Sequence, residues 1–244
     1  MVLRKNKLVG ILGYGEIGRA VGKFYKSFLI RDVDVNQFAP GLDVLHVCLP
    51  FIKNFNKVVS ENIKTYRPRL VIIHSTVGPG VTKKLYEKFG NVVHSPVRGV
   101  HPVLYEGIKT FVKYVGADNK KLGQEAVRYL RSLGIKRVKL FLPSVSTELG
   151  KLFDTTYYGL CIAYHAYTNS ICKKVGANFD DVMTEFNKTY NEGYKKLGKN
   201  NVIRPVLFYP ADNKIGGHCV VPNAEILKKE FGSDEILGSI LRHK

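Results

Sequence analysis

The chain predicts an α/β domain, a doubly wound parallel sheet with helices on both faces, followed by an all-helical domain. Three observations predict it. Short apolar runs alternate with longer mixed stretches through the first ~140 residues, the pattern of strands joined by crossover helices. A glycine-rich turn follows the first run directly, and beyond Pro143 the apolar residues change to the spacing of long amphipathic helices.

The elements follow in order. Leu8–Leu12 is a short, wholly apolar run bounded by a turn, so it reads as a buried strand. Further strands are expected at Phe28–Asp34, Val44–Leu49, Leu70–His74, Val92–His94, Phe111–Val115 and Val138–Phe141, each rich in β-branched or aromatic residues. Between them the mixed stretches Ile17–Tyr25, Asn54–Thr65, Val81–Phe89 and Asn119–Leu133 carry helical periodicity. Pro143-Ser144 marks a boundary and Ser146-Thr147-Glu148 a helix cap, which divides the chain into a domain of residues 1–143 and one of residues 144–244.

The second domain opens on a long helix with Leu149, Leu152, Phe153, Thr156, Leu160, Ala163, Tyr164, Tyr167 and Ile171 at helical spacing. After Gly176-Ala177-Asn178 a second helix places Phe179, Val182, Met183, Phe186, Tyr190 and Tyr194 on one face. A small domain cannot cover two such faces, so they predict a homodimer that buries them against a second copy.

Composition narrows the class. The 244 residues include 13 Phe and 14 Tyr, ample material for a core. No stretch is apolar enough to span a membrane and no signal-peptide pattern opens the chain. The four cysteines are widely spaced without metal-ligand pairing, so no metal site and a cytoplasmic location are expected. The net charge of +18 is spread over short lysine clusters at expected helix ends, which argues against a nucleic-acid partner.

The turn Gly13-Tyr14-Gly15-Glu16-Ile17-Gly18 sits between a strand and a helix, where it has a physical use. The first glycine permits the tight turn, the second lets a pyrophosphate approach the backbone, and the third lets helix and strand pack closely. This is a Rossmann-type dinucleotide turn. The next strand ends in Asp32-Val33-Asp34. Asp34, about 20 residues past Gly13, is the expected acceptor for the ribose hydroxyls and favours NAD over NADP, with Asp32 as a substitute. Leu49-Pro50 and Ser75-Thr76 follow later strands and are expected at the cofactor; the alternative for Ser75-Thr76 is a helix cap.

In order along the chain, these segments resemble the UDP-glucose/GDP-mannose (nucleotide-sugar) 6-dehydrogenase family. Gly13 to Gly18 is similar to its cofactor loop and Asp34-Val35-Asn36 to its second strand end. Asp43 to Pro50, Ser75-Thr76-Val77-Gly78-Pro79-Gly80 and Ser95-Pro96-Val97-Arg98 are similar to three further family segments. Glu148-Leu149-Gly150-Lys151-Leu152 resembles its helix start, and Gly216-Gly217-His218-Cys219 its cysteine turn. The resemblance implies an NAD-dependent oxidation of a sugar alcohol, with Cys219 capturing the aldehyde as a thiohemiacetal and Lys151 stabilising negative charge on the sugar oxygen.

Three positions depart from the family: Val97 replaces a glutamate, Thr155 an asparagine and Asn223 an aspartate. Loss of both carboxylates removes the obvious bases, so His101, His218 or Glu106 is expected to take that role, or the full four-electron oxidation is not performed. The resemblance implies that the sequence ends about where the family's third, nucleotide-holding domain would begin. His94, Arg98 and Arg204, with Asn223, are the candidate contacts to an anionic sugar substrate. Two alternatives stand beside this reading: a two-electron enzyme of the β-hydroxyacid dehydrogenase type, and a non-catalytic NAD-binding module.

Overall fold

The computed structural model describes residues 7–207, 215, 219–232 and 234–243. It divides into two compact units, Met1–Lys151 and Leu152–Lys244. The division falls after Lys151 rather than at Pro143, because the first turns of the long helix α6 (Val145–Val175) belong to the first unit. Within that unit the His94 ring meets the Thr147 hydroxyl, and Glu148 accepts from the backbone of Gly80 and Thr82.

The first unit is a seven-stranded sheet of β1 (Val9–Leu12), β2 (Leu29–Arg31), β3 (Val44–Val47), β4 (Leu70–Ile73), β5 (Val92–His94), β6 (Lys113–Gly116) and β7 (Val138–Phe141). Their spatial order is β2-β1-β3-β4-β5-β6-β7. Alternate residues of each strand face opposite sides, so the continuous apolar runs supply two cores. On one side Ile11, Val44, Ile72 and Val93 pack beneath α1 (Glu16–Gly22), α4 (Leu104–Thr110) and α5 (Lys120–Ser132). On the other, Leu12, Leu45, Val71 and Ile73 pack beneath α2 (Phe55–Tyr66) and α3 (Val81–Phe89).

One expectation is corrected. The sheet is not all parallel: β6 runs antiparallel to β5, with His94 opposite Gly116, and β7 follows β6 in parallel. The linking segment holds only α4, seven residues long, or about 10 Å of helix. The chain enters β6 at the end of the sheet where it leaves β5. β2 is also shorter than the sequence predicts, ending at Arg31, because Asp32 turns the chain back through Asp32 N–H to Val35 O (2.8 Å).

In the second unit Leu152 and Ala163 of α6 pack with Val220, Ala224 and Leu227 of a later helix, Val220–Phe231, and with Leu237 and Ile240 of the last, Glu235–Leu241. Numbering these in chain order after α7 (Phe186–Lys196) makes them α8 and α9. Gly159 is required at this contact, since a β-carbon there would come within 2.2 Å of the Val220 side chain. Among the described residues no helix is long and apolar enough to cross a membrane.

Candidate active site

The glycine turn lies at the point where the strand order reverses, between the carboxyl ends of β1 and β3. Its three glycines have different surroundings. Gly13 has φ +89°, and a β-carbon there would sit 3.0 Å from the Cys48 backbone at the end of β3. At Gly18 a β-carbon would fall 2.1 Å from the Gly13 carbonyl oxygen, so only glycine lets α1 approach this strand. Gly15 faces open space with nothing within 4 Å. The backbone at the start of α1 is therefore bare on the side where a pyrophosphate would rest, and the site fits a dinucleotide.

Asp32 is the first residue past β2, and its carboxylate accepts from Tyr14 N (2.6 Å) and Val33 N (2.8 Å). It is thus held against the glycine turn. Asp34, the residue favoured by sequence spacing, stands two residues further along the exposed turn. Leu49 is partly buried beside Gly13 and Pro50 is exposed. The Ser75 hydroxyl donates to Leu49 O (2.6 Å) and is buried, so it straps the end of β4 to that of β3, while Thr76 remains partly exposed.

The expected cluster of His94, Arg98 and His101 is not one surface. His94 is fully buried, its Nδ1 2.8 Å from Thr147 Oγ1 and its Nε2 3.1 Å from Ser75 O. Burial holds its pKa down at about 3, with nearby Lys113 and Lys151 pressing the same way. It is a neutral core histidine, not a ligand contact. Val97 is also buried and packs in the apolar core, so nothing polar stands in for the family's glutamate at that position. Arg98 lies over the rings of Phe111 and Tyr114, at 5.5 and 5.3 Å. His101 reaches the glycine turn: its Nδ1 is 2.5 Å from Glu16 Oε2, a carboxylate at the first residue of α1.

Lys151 is partly buried at the close of the first unit, and its charge acts on His94 and Lys113. In the second unit Cys219 is the residue preceding α8. One turn on, the Asn223 amide is buried with its Nδ2 unpartnered among the described residues, an unmet donor on the same helix as Cys219. Arg204 is pinned to α7 by Asn191 in two hydrogen bonds, and its guanidinium lies 4.2 Å from the Tyr190 ring centre. Gly216, Gly217 and His218 lie outside the described residues.

Two features escaped the sequence. Glu148 is fully buried and accepts from Gly80 N (2.6 Å) and Thr82 N (2.8 Å), capping α3, whose own cap residue Gly80 has no side chain. Burial raises its pKa, against the pull of those hydrogen bonds. The other is a polar chain through the first core, built on His46, His74 and Lys113. Isolated histidines and a lysine inside apolar runs were its only signal.

No protein-family model matches the chain. A curated UDP-N-acetyl-D-mannosamine dehydrogenase of Methanococcus maripaludis is 25% identical over 182 residues, 73% of this chain and 36% of that protein. At this distance the chain is similar to nucleotide-sugar dehydrogenases. It spans only about a third of that relative's length. Two solved structures share the fold. The UDP-D-ManNAc dehydrogenase of Pyrococcus horikoshii has a TM-score of 0.77 at 18% identity, covering 96% of this chain and 67% of that one. The 3-hydroxyisobutyrate dehydrogenase of Mycobacterium tuberculosis has a TM-score of 0.64 at 15% identity, covering 97% and 91%. The chain thus shares its architecture with both sugar-nucleotide and hydroxyacid enzymes.

Proposed function

We propose that this nucleotide-sugar dehydrogenase relative is an NAD-dependent oxidoreductase acting on the alcohol of a sugar nucleotide or a smaller anionic sugar. The observation that carries the reading is the glycine turn, closed at Gly18 and open at Gly15, set at the switch point of the sheet. NAD supplies the hydride acceptor when bound. Gly13 to Gly18 would hold its pyrophosphate and Asp32, already fixed beside Tyr14, its ribose, in place of Asp34. An acid at that point repels a 2′-phosphate, which supports NAD over NADP.

His101 would take the alcohol proton. A carboxylate at hydrogen-bond distance fixes the orientation of an imidazole, and Glu16 stands in that relation to it. Lys151 would stabilise the alkoxide and Cys219 would capture the aldehyde, with Asn223 offering its unpartnered amide. The exposed faces of α6 and α7 would meet a second copy.

Val97 favours a second reading. With an apolar side chain packed where the family carries a glutamate, oxidation would stop after two electrons, as in a hydroxyacid-type enzyme. Counting NADH per substrate, with NAD and a panel of UDP- and GDP-sugars and sugar phosphates, separates the two. Two NADH, reduced to one or none by Cys219→Ser, supports the four-electron oxidation. One NADH, indifferent to that substitution, supports the second reading. Bound NAD with no turnover across the panel overturns both.

A further inference from the structure

The first core contains a continuous chain of polar groups that this function does not use. Tyr129 Oη lies 2.6 Å from Tyr25 Oη, and Tyr25 Oη lies 2.7 Å from His46 Nε2. His46 Nδ1 is 2.8 Å from His74 Nε2, and His74 Nδ1 is 2.9 Å from Ser95 O. Lys113 Nζ donates to Ser95 O (2.7 Å) and Pro96 O (2.9 Å) and stands 3.3 Å from His74 Nδ1. His46, His74, Lys113 and Tyr129 are 1%, 2%, 3% and 4% exposed, whereas Tyr25 reaches the surface in part.

The partners assign the hydrogens. Ser95 O only accepts, so His74 carries its proton on Nδ1 and offers Nε2 as an acceptor. His46 must then donate from Nδ1 and accept at Nε2 from the Tyr25 hydroxyl, which in turn accepts from Tyr129. Every bond points the same way, towards Lys113. An ammonium there would aim its third N–H at the His74 N–H. A neutral amine matches the site: two N–H groups for two carbonyls, and a lone pair facing His74 Nδ1–H.

We propose that Tyr129, Tyr25, His46, His74 and Lys113 form a buried proton relay that moves one proton between its tyrosine end and the Lys113 amine, reversing the hydrogen bonds between its members and giving up the one from His74 to Ser95 O. One proton taken up at the tyrosine end joins Tyr129 Oη as the existing one passes to Tyr25, and the Tyr25 proton passes to His46 Nε2. The His46 Nδ1 proton passes to His74 Nε2, and the His74 Nδ1 proton to Lys113 Nζ. The balance is one proton taken up and one ammonium formed, with both imidazoles still neutral. The charge appears beneath the Ser95 and Pro96 carbonyls, at the carboxyl end of β5.

The surroundings suit a lysine that changes charge near neutrality. Burial brings Lys113 down to about 7, the Cys48 thiol opposing and Lys151 assisting. The other titratable groups facing it are His46 on β3, His74 after β4 and His94 on β5, all held neutral chiefly by burial. Cys48 is itself pushed up to about 12 by burial, so it supplies no thiolate at neutral pH.

The test is the nitrogen NMR of His46 and His74 in the whole chain between pH 5.5 and 9, with the Lys113 Cε shift followed alongside. Both rings should remain neutral and exchange Nδ1–H for Nε2–H together as pH falls, at one midpoint shared with Lys113. A fixed tautomer across the range, an imidazolium in either ring, or separate midpoints would overturn the relay. Lys113→Met should abolish the exchange, and its persistence there would also overturn it. Should that variant fail to fold, Tyr129→Phe keeps the shape but removes the acceptor that the Tyr25 hydroxyl needs once the chain is reversed. Its midpoint should fall by about one pH unit, and an unmoved midpoint counts against the relay.

Discussion

At the scale of single residues, the three turn glycines separate folding from binding. Gly18→Ala would place a carbon 2.1 Å from the Gly13 carbonyl, so α1 must move and the domain should lose about 2–4 kcal/mol of stability. Gly15→Ala meets nothing within 4 Å and should change stability by less than about 0.5 kcal/mol. The same methyl would occupy the side from which a pyrophosphate approaches, and should weaken NAD binding tenfold or more. Denaturant unfolding and calorimetric titration with NAD measure the two effects. Equal NAD affinity in Gly15→Ala and the parent chain would remove the cofactor from this turn. The spacing of the glycines was legible in the sequence; the choice between Asp32 and Asp34 was not. It depends on where β2 stops, and the Asp32 N–H bond to Val35 O ends that strand three residues earlier than its composition suggests.

At the scale of elements, α6 and α7 carry more apolar surface than their own unit covers. Leu152, Thr156 and Ala163 of α6 are buried, whereas Tyr157, Tyr164 and Tyr167 are 62%, 55% and 58% exposed and Phe186 and Tyr190 of α7 are also open. A row of exposed aromatics on a 31-residue helix is a surface that water tolerates poorly. The 27.4 kDa chain should therefore sediment as a dimer, and the double change Tyr164→Glu, Tyr167→Glu should return it to a monomer. A monomer at micromolar concentration in the unchanged chain would sink this expectation. Periodicity showed that these helices exist and that they are amphipathic. It placed Leu152 and Phe153 on one face, and only the packing of α8 against α6 shows which of the two is covered.

At the scale of the whole molecule, the buried histidines set the response to acid. His46 and His94 are held near 3 and His74 well below its ordinary value, each mainly by burial. In the unfolded chain they take up protons below about 6.5, while in the fold they do not. Their contribution to stability is therefore complete above pH 6.5 and declines as pH falls towards 3. The unfolding free energy should drop by several kcal/mol between pH 7 and 4.5, with repulsion among the +18 net charges adding to the loss. A flat profile over that interval would mean that the rings are charged or hydrated in the fold.

What the sequence determined by itself is local. Runs of β-branched residues, glycines at a strand end and helical spacing each report on the few residues around them, and they yielded seven strands, the dinucleotide turn and two amphipathic helices. What tertiary structure decided depends on residues far apart in the chain. The antiparallel entry of β6 is fixed by its pairing with β5, and His94 is buried against Thr147, 53 residues away. His101 meets Glu16 at the turn, and Lys113 completes a chain that begins at Tyr129. A side chain's protonation state and chemical role are set by the partners and dielectric around it, and those exist only once the sheet has brought its strands together.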